Sequence, residues 1–162
     1  MRFLVTGGAG YIGSHMVKFL QKLRHDVNVI DDFSTGNEWS LKDCQIFNLN
    51  LQDRDALALI LNERVYDCIF HFAGSSISYL SIQHPLLYEK NNLQTTSNLI
   101  ECMKLSGNKN LIFSSSAAVY GNPSQDLITE DHPLNPTTPY GESKLSCENL
   151  IKNYSDSNQI NS

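Results

Sequence analysis

The sequence predicts an α/β domain in which helices cover both faces of a parallel sheet of about five strands. Short apolar runs alternate with longer segments whose apolar residues recur at helical spacing. No hairpin turn joins successive apolar runs, so each return to the sheet must cross one face, and such crossovers are right-handed. A glycine-rich turn directly after the first apolar run agrees with this interpretation.

Four strands are predicted in the first half of the chain. The first and second enclose a helix at 11–23, and Asp53 is suited to cap the helix that follows the third strand. The second strand ends at Asp31, and Ala73 and Gly74 stop the fourth. The predicted ranges of these strands are 2–6, 27–30, 45–49 and 68–72.

The second half is predicted to contain a long helix, one strand and a last helix. Pro85 suits the first turn of the long helix, and a fifth strand at 111–113 runs into three serines. A proline-rich polar loop follows, and the last helix begins near Tyr140. We predict one domain over residues 1–154 and a frayed polar tail over residues 155–162.

Composition limits the classes of partner and the cell compartment. The net charge of -5 disfavours nucleic acid and anionic membranes, which attract basic surfaces. No apolar stretch approaches the roughly 20 residues that span a bilayer. The four cysteines form no Cys-x-x-Cys pair and the histidines show no ligand spacing, so we predict no metal site. Unpaired thiols are typical of the reducing cytoplasm, where we expect the protein.

The run Thr6–Gly13 (TGGAGYIG) is typical of a dinucleotide-binding turn, because it follows a predicted strand and opens an amphipathic helix. Gly7 suits the tight turn, Gly10 lets a pyrophosphate approach the backbone, and Gly13 allows close helix-to-strand packing. The helix N-terminus then offers free N–H groups to phosphates. These features make the sheet a Rossmann-type one. A glycine-rich turn with no ligand is the alternative.

Asp31 stands 18 residues after Gly13, near the ~20 expected for an acid that binds the ribose of the cofactor. A carboxylate there accepts hydrogen bonds from the 2'-hydroxyl and repels a 2'-phosphate, so NAD is favoured over NADP. Asp32 strengthens that repulsion, although a solvated loop acid explains it equally.

Tyr140 and Lys144 have the spacing of a proton-transfer pair on one face of a helix. A tyrosine phenol ordinarily titrates near pH ~10, and a neighbouring ammonium stabilises its phenolate. Ser116, after the fifth strand, can hold the substrate oxygen while the tyrosine takes a proton. The alternative is a helix on which Tyr140 and Lys144 merely pack against neighbours.

These motifs resemble those of the extended short-chain dehydrogenase/reductases, in the NAD-dependent epimerase/dehydratase family. Within that group the resemblance is to the UDP-glucose 4-epimerases, and it covers only their N-terminal part. The runs that carry it are VTGGAGYIGSH at 5–15, HFAG at 71–74, FSSSAAVYG at 113–121 and PYGESK at 139–144.

The resemblance implies a tightly held NAD and interconversion of UDP-glucose and UDP-galactose through a transient 4-keto sugar. It implies that Tyr140 is base and acid, that Lys144 tunes it, and that Ser116 orients the substrate. The residues implied to bind the cofactor are Gly7, Gly10, Tyr11, Ile12, Gly13, Asp31, Asp32, Phe33, Ser34, Thr35, Gly36, Asn50, Leu51, Phe72, Ala73, Gly74, Asn91, Tyr140 and Lys144.

The chain departs from the family pattern in three ways. Asn50 stands where the family usually has an aspartate that grips the adenine, and its amide carbonyl can still accept a hydrogen bond. Ser76 stands where the epimerases commonly have a lysine near the cofactor. The family is about twice as long, so we expect the sixth strand and the C-terminal substrate lobe to be missing.

Other functions remain open at this point. One is a truncated, catalytically silent NAD-binding module, and another is an alcohol reductase of the same superfamily. A dehydratase is disfavoured, because Ala117 and Ala118 stand where those relatives have an acidic pair. The resemblance also implies a homodimer through the helices near 85–105 and 140–153, although core packing explains their apolar faces equally.

Overall fold

The computed structural model describes residues 1–123 and 127–162. Its centre is a five-stranded sheet with the order β3-β2-β1-β4-β5, in which every neighbouring pair is parallel. The predicted Rossmann-type parallel sheet is therefore confirmed. The strands are β1 Arg2–Thr6, β2 Asp26–Asp31, β3 Gln45–Asn48, β4 Cys68–His71 and β5 Leu111–Phe113.

Two of the helices begin at a residue whose side chain accepts from a free N–H group of the first turn. The Asp53 carboxylate accepts from the Ala56 N–H at 3.1 Å, and the Thr138 hydroxyl accepts from the Gly141 N–H at 3.2 Å. These caps fix the starts of α2 and α6. The helices are α1 Tyr11–Lys22, α2 Arg54–Glu63, α3 Ser78–Gln83, α4 Pro85–Tyr88, α5 Thr95–Ser106 and α6 Pro139–Asp156.

The long helix predicted from Pro85 is not a regular α-helix throughout. A π-helical segment, Glu89–Gln94, separates α4 from α5. Its wider turn changes the usual i to i−4 backbone pairing. The Asn92 carbonyl also accepts from the hydroxyls of Thr96, at 2.7 Å, and Thr95, at 3.2 Å. Periodicity did not indicate this segment, because Leu93 is its one apolar residue.

Two apolar clusters cover the two faces of the sheet. Successive residues of β1 point to opposite faces, so that Leu4 joins one cluster while Phe3 and Val5 join the other. The first cluster includes residues of α2, α5 and α6, and the second includes residues of α1. This burial explains why the strands are continuous apolar runs rather than alternating ones.

The end of the described chain is packed, and the predicted frayed tail over residues 155–162 is corrected there. Ile160 is 2% exposed and lies in the same cluster as Leu111 and Ile151. The Asn161 N–H donates to the Lys109 carbonyl at 2.7 Å, and the Leu111 N–H donates to the Asn161 carbonyl at 2.8 Å. Only the neighbouring β5 makes this segment ordered, because its own sequence is mostly polar.

In residues 1–123 and 127–162, no helix combines the length and the apolar character that crossing a bilayer requires.

Replacing Ile160 with alanine tests the packing of this segment. We expect the free energy of unfolding to fall by about 2–5 kcal/mol, because a fully buried side chain is lost. Urea denaturation followed by circular dichroism measures it. Leu105→Ala, at a position 70% exposed, is the control and should change stability little. Equal stability of both variants and the wild type would contradict the packed arrangement.

Candidate active site

A cavity of about 720 Å³ lies where the carboxyl ends of the strands meet the starts of the helices. That volume is within the ~300–1,000 Å³ typical of ligand pockets. The predicted site residues that line it are Gly7, Gly10, Tyr11, Ile12, Gly13, Asp31, Asp32, Ser34, Thr35, Asn50, Leu51, Phe72, Ala73, Gly74, Asn91, Tyr140 and Lys144. The remaining three, Phe33, Gly36 and Ser116, are described by the structure but do not line the cavity.

The glycine turn packs tightly against β4 beneath one wall of the cavity. Gly7 has a φ of +68°, and a Cβ there would come within 2.5 Å of the Ala73 nitrogen. A Cβ on Gly13 would overlap the Gly7 carbonyl. Gly10 caps α1 without a side-chain hydrogen bond, so the free N–H groups of the first helical turn stay available at this wall. The arrangement suits an anionic group such as a phosphate.

Asp31 joins the end of β2 to the glycine turn. One carboxylate oxygen accepts from the Ala9 N–H at 2.8 Å, and the other accepts from the Phe33 N–H at 2.8 Å. Each oxygen has further acceptor capacity toward the cavity. A ribose hydroxyl could therefore bind here without breaking either of these bonds.

Phe33 and Gly36 support the loop after β2 rather than line the cavity. Phe33 has a φ of +55°, and its ring packs against the apolar cluster beside α1. A Cβ on Gly36 would come within 2.7 Å of the Ala9 Cβ. Both residues therefore support the backbone of the loop after β2. The sequence analysis predicted direct contact with the cofactor and did not include this role.

A chain of polar side chains runs along the cavity from β2 toward β4. The Asn50 amide donates to the Asp32 carboxylate at 2.6 Å, and its carbonyl accepts from the Gln52 N–H at 2.9 Å. The Gln52 amide in turn donates to the Asn91 side-chain carbonyl at 2.8 Å. Asp32 is therefore hydrogen-bonded within this chain instead of being an isolated loop acid.

Lys144 is a buried cation on α6, only 6% exposed. Its ammonium donates to the Ser114 carbonyl at 2.9 Å and lies 4.7 Å from the centroid of the Phe113 ring. Burial lowers the pKa of the lysine, because removal from water disfavours the charged form. The carbonyl and the ring face compensate part of that cost.

Tyr140 is the second residue of α6 and shares the cavity with Lys144. Its ring meets the ring of Tyr88 edge to face, with centroids 6.1 Å apart. The Tyr88 hydroxyl donates to the Ile77 carbonyl at 2.5 Å, which fixes that ring. The predicted pair is thus brought to one site, and Tyr88 supports it.

Ser116 lies away from the cavity lining. Its hydroxyl oxygen accepts from the Ala118 N–H at 3.2 Å and caps the short helical turn Ala117–Tyr120. Ser114 and Ser115 line the cavity instead. The Ser115 hydroxyl is buried and has no hydrogen-bond partner among the residues that the structure describes.

His71 lies at the end of β4, beneath the cavity, and is 0% exposed. Its Nδ1 is 2.6 Å from the Thr6 hydroxyl and its Nε2 is 3.0 Å from the Thr96 hydroxyl. Burial, with the nearby Lys144 charge, lowers the pKa of this histidine to about 3. In the described ranges no group of three or more His, Cys, Asp or Glu side chains could hold a metal ion.

Sequence reasoning missed part of the lining. The missed residues come mainly from α3, α4 and the segment before them, where the sequence shows no recognisable motif. A sequence signal for part of this lining was available, because polar and aromatic residues lie close to the HFAG run. The missed lining residues include Ser75, Ile77, Leu80, His84, Leu87, Tyr88 and Thr95.

Comparison with known proteins gives consistent matches. A profile of the "NAD dependent epimerase/dehydratase family" matches residues 3–162. The chain is 41% identical to UDP-glucose 4-epimerase of Lactobacillus helveticus, covering 93% of this chain and 46% of that protein.

Comparison with solved structures gives matches of the same kind. The UDP-Glc/GlcNAc 4-epimerase of Campylobacter jejuni superposes with a TM-score of 0.94 at 37% identity, over 97% of this chain and 50% of that one. UDP-glucose 4-epimerase of Brucella ovis in complex with NAD gives 0.95 at 33% identity, over 98% and 49%. The chain thus spans about half the length of the relatives it matches.

The buried histidine predicts a pH dependence of stability. Because the folded pKa of His71 is about 3 and the ordinary value is 6.5, the unfolded chain binds an extra proton between these pH values. We expect the free energy of unfolding to rise with pH across that window, by at most about 1.4 kcal/mol per unit from this group. His71→Asn should remove this contribution, measured by urea denaturation at several pH values.

A measurement on the wild type is the control in case that variant is too unstable to fold. The His71 ring resonances should not titrate between pH 5 and 7 in the folded protein. A titration of His71 in that range, or equal pH slopes for wild type and variant, would contradict the prediction.

Proposed function

Because this chain belongs to the NAD dependent epimerase/dehydratase family, we propose that its cavity binds NAD and serves nucleotide-sugar 4-epimerase chemistry. The substrates would be UDP-glucose and UDP-galactose. The observation that carries the proposal is that Tyr140 and Lys144 line the same cavity as the glycine turn and Asp31. A proton-transfer pair and a dinucleotide cradle are thereby combined in one site.

The residues present fit NAD. The free N–H groups at the start of α1 suit the pyrophosphate, and Gly7 and Gly10 line the cavity without a side chain of their own. Asp31 can accept from the ribose hydroxyls and would repel a 2'-phosphate. Bound at this site, NAD supplies reversible hydride transfer. The residues implied by the resemblance to hold it all line the cavity except Phe33 and Gly36, which support the loop after β2.

The proton chemistry would be done by side chains of α6. Tyr140 would take the proton of the sugar hydroxyl and later return it, as general base and acid. Lys144 would stabilise the phenolate through its charge, which the Ser114 carbonyl and the Phe113 ring hold in place. The start of α6 adds a partial positive charge beside Tyr140.

A serine hydroxyl would orient the sugar oxygen. We assign that role to Ser116, as the resemblance implies. Its hydroxyl oxygen already accepts a hydrogen bond from the Ala118 N–H. A hydroxyl that accepts one bond can still donate its hydrogen to a substrate. Ser115, whose buried hydroxyl has no hydrogen-bond partner within the described part of the chain, is the neighbouring candidate.

A catalytically silent NAD-binding module is the second candidate. The chain spans 46% of the Lactobacillus relative, and large apolar side chains of α3 and α4 near the cavity are exposed, such as Tyr79 at 67% and Leu86 at 76%. An apolar surface of this kind suits contact with further protein. We also propose a homodimer and a cytoplasmic location.

The purified chain tests the two candidates directly. We expect weak binding of NAD and no turnover of UDP-galactose, with or without added NAD, by this chain alone. Binding without turnover supports the silent module as a description of the isolated chain. Turnover would exclude that module, and absence of any NAD binding would contradict both candidates.

A chimera tests the epimerase proposal itself. Residues 1–162 replace the matching half of the Lactobacillus helveticus epimerase, and interconversion of the two UDP-sugars is assayed. We expect activity, and a loss of roughly 10²- to 10⁴-fold in kcat for Tyr140→Phe, because the general acid–base group is removed. Tyr79→Phe, at an exposed tyrosine, is the control. An inactive, folded chimera would contradict the proposal.

Asp31→Asn tests the choice of cofactor. We expect NADH affinity to fall roughly 10- to 100-fold, because a charged hydrogen-bond acceptor is lost, and the preference for NADH over NADPH to narrow. Fluorescence titration with each dinucleotide measures this. Asp26→Asn, at the opposite end of the same strand, is the matched control. An unchanged preference would rule out this role for Asp31.

A further inference from the structure

His71 is a buried titratable side chain that the proposed proton transfer does not use. Its neighbours in the hydrogen-bond chain come from separate parts of the site. Thr6 directly precedes Gly7 of the glycine turn, and Thr96 directly follows Thr95, which lines the cavity. His71 itself directly precedes Phe72, another lining residue.

The direction of each hydrogen bond in this chain follows from donor and acceptor counting. The Thr96 hydroxyl donates its one hydrogen to the Asn92 carbonyl at 2.7 Å, so toward His71 it can only accept. The His71 Nε2 therefore carries the hydrogen of the 3.0 Å contact. In a neutral ring Nδ1 is then bare and accepts from the Thr6 hydroxyl at 2.6 Å.

The ring is neutral at pH 7 because burial and the Lys144 charge both disfavour its protonation. The chain of bonds thus runs one way, from Thr6 through His71 and Thr96 to the carbonyl of Asn92, which belongs to the π-helical segment. Each donor is matched with an acceptor. One tautomer of His71, with the hydrogen on Nε2, fits all three bonds.

A second contact connects His71 to the proton-transfer pair. Its ring packs against the Phe113 ring, with centroids 5.7 Å apart. The Lys144 ammonium lies 4.7 Å from the centroid of that same Phe113 ring. Residue 114, which follows Phe113, supplies the carbonyl that accepts from Lys144. Phe113 therefore contacts both the histidine ring and the lysine ammonium.

We propose that Thr6, His71 and Thr96 are positioning residues for the end of the cavity at Tyr140 and Lys144, where the nicotinamide of NAD would lie. Their one-way hydrogen bonds hold the neutral imidazole in the Nε2–H form, and through Phe113 they set the Lys144 ammonium at a fixed place relative to the glycine turn. This inference rests on the proposed binding of NAD, and it adds a role for residues that do not touch the cofactor.

The first test determines the tautomer in the wild-type chain by ¹⁵N NMR of the imidazole nitrogens at pH 7. We expect a neutral ring with the hydrogen on Nε2. A hydrogen on Nδ1, or a charged ring, overturns the proposal. No variant is required, so this result does not depend on the folding of a mutant.

The second test compares the affinities for NAD and for ADP-ribose, which lacks the nicotinamide. In Thr96→Val the Nε2–H loses its acceptor, and we expect NAD affinity to fall roughly 10-fold while ADP-ribose affinity stays near the wild-type value. Thr96→Ser keeps the hydroxyl and should restore NAD binding. Thr129→Val, at an exposed turn, is the matched control, and Thr6→Val tests the other end of the chain.

The outcomes separate this inference from the proposed function. Equal losses for both ligands indicate a merely structural role and overturn the inference, as do wild-type affinities in both valine variants. If the wild type binds ADP-ribose and its affinity for NAD is no higher, the positioning role fails while the dinucleotide cradle stands. If it binds neither ligand, the proposed cofactor fails, and the positioning role fails with it.

Discussion

The parallel alignment of the strands is the constraint on which the site depends. In a parallel sheet all carboxyl ends lie at one edge, so residues that follow different strands meet there although they are far apart in sequence. The order β3-β2-β1-β4-β5 puts the glycine turn after β1 between Asp31, at the end of β2, and Phe72, which follows β4. The cavity exists because these turns diverge at that edge.

Burial of charge at this edge gives the site its electrostatic character. Lys144 is almost completely removed from water, and its pKa is lowered for that reason. The ammonium is held by a carbonyl dipole and an aromatic face, and neither partner is a carboxylate. Within the described residues its charge is therefore not neutralised by an ion pair, which is the electrostatic condition that the proposed stabilisation of a phenolate requires.

The acidic side chains occupy the other end of the same cavity. Asp31 and Asp32 both accept hydrogen bonds from groups of the loops around them, and Asn50 bridges Asp32 to the segment after β3. The cavity thus has a cationic end at α6 and an anionic end at β2. This polarity suits a dinucleotide with a ribose at the acidic end and a reacting centre beside the lysine.

Local sequence was sufficient for the strands, the glycine turn and the Tyr140–Lys144 pair, because each depends on periodicity or spacing within a few residues. Only the tertiary structure decided features that depend on distant neighbours. Ile160 is buried because β5 lies beside it. The bonds of His71 join residues 65 and 25 positions away, a distance over which no sequence pattern specifies contact.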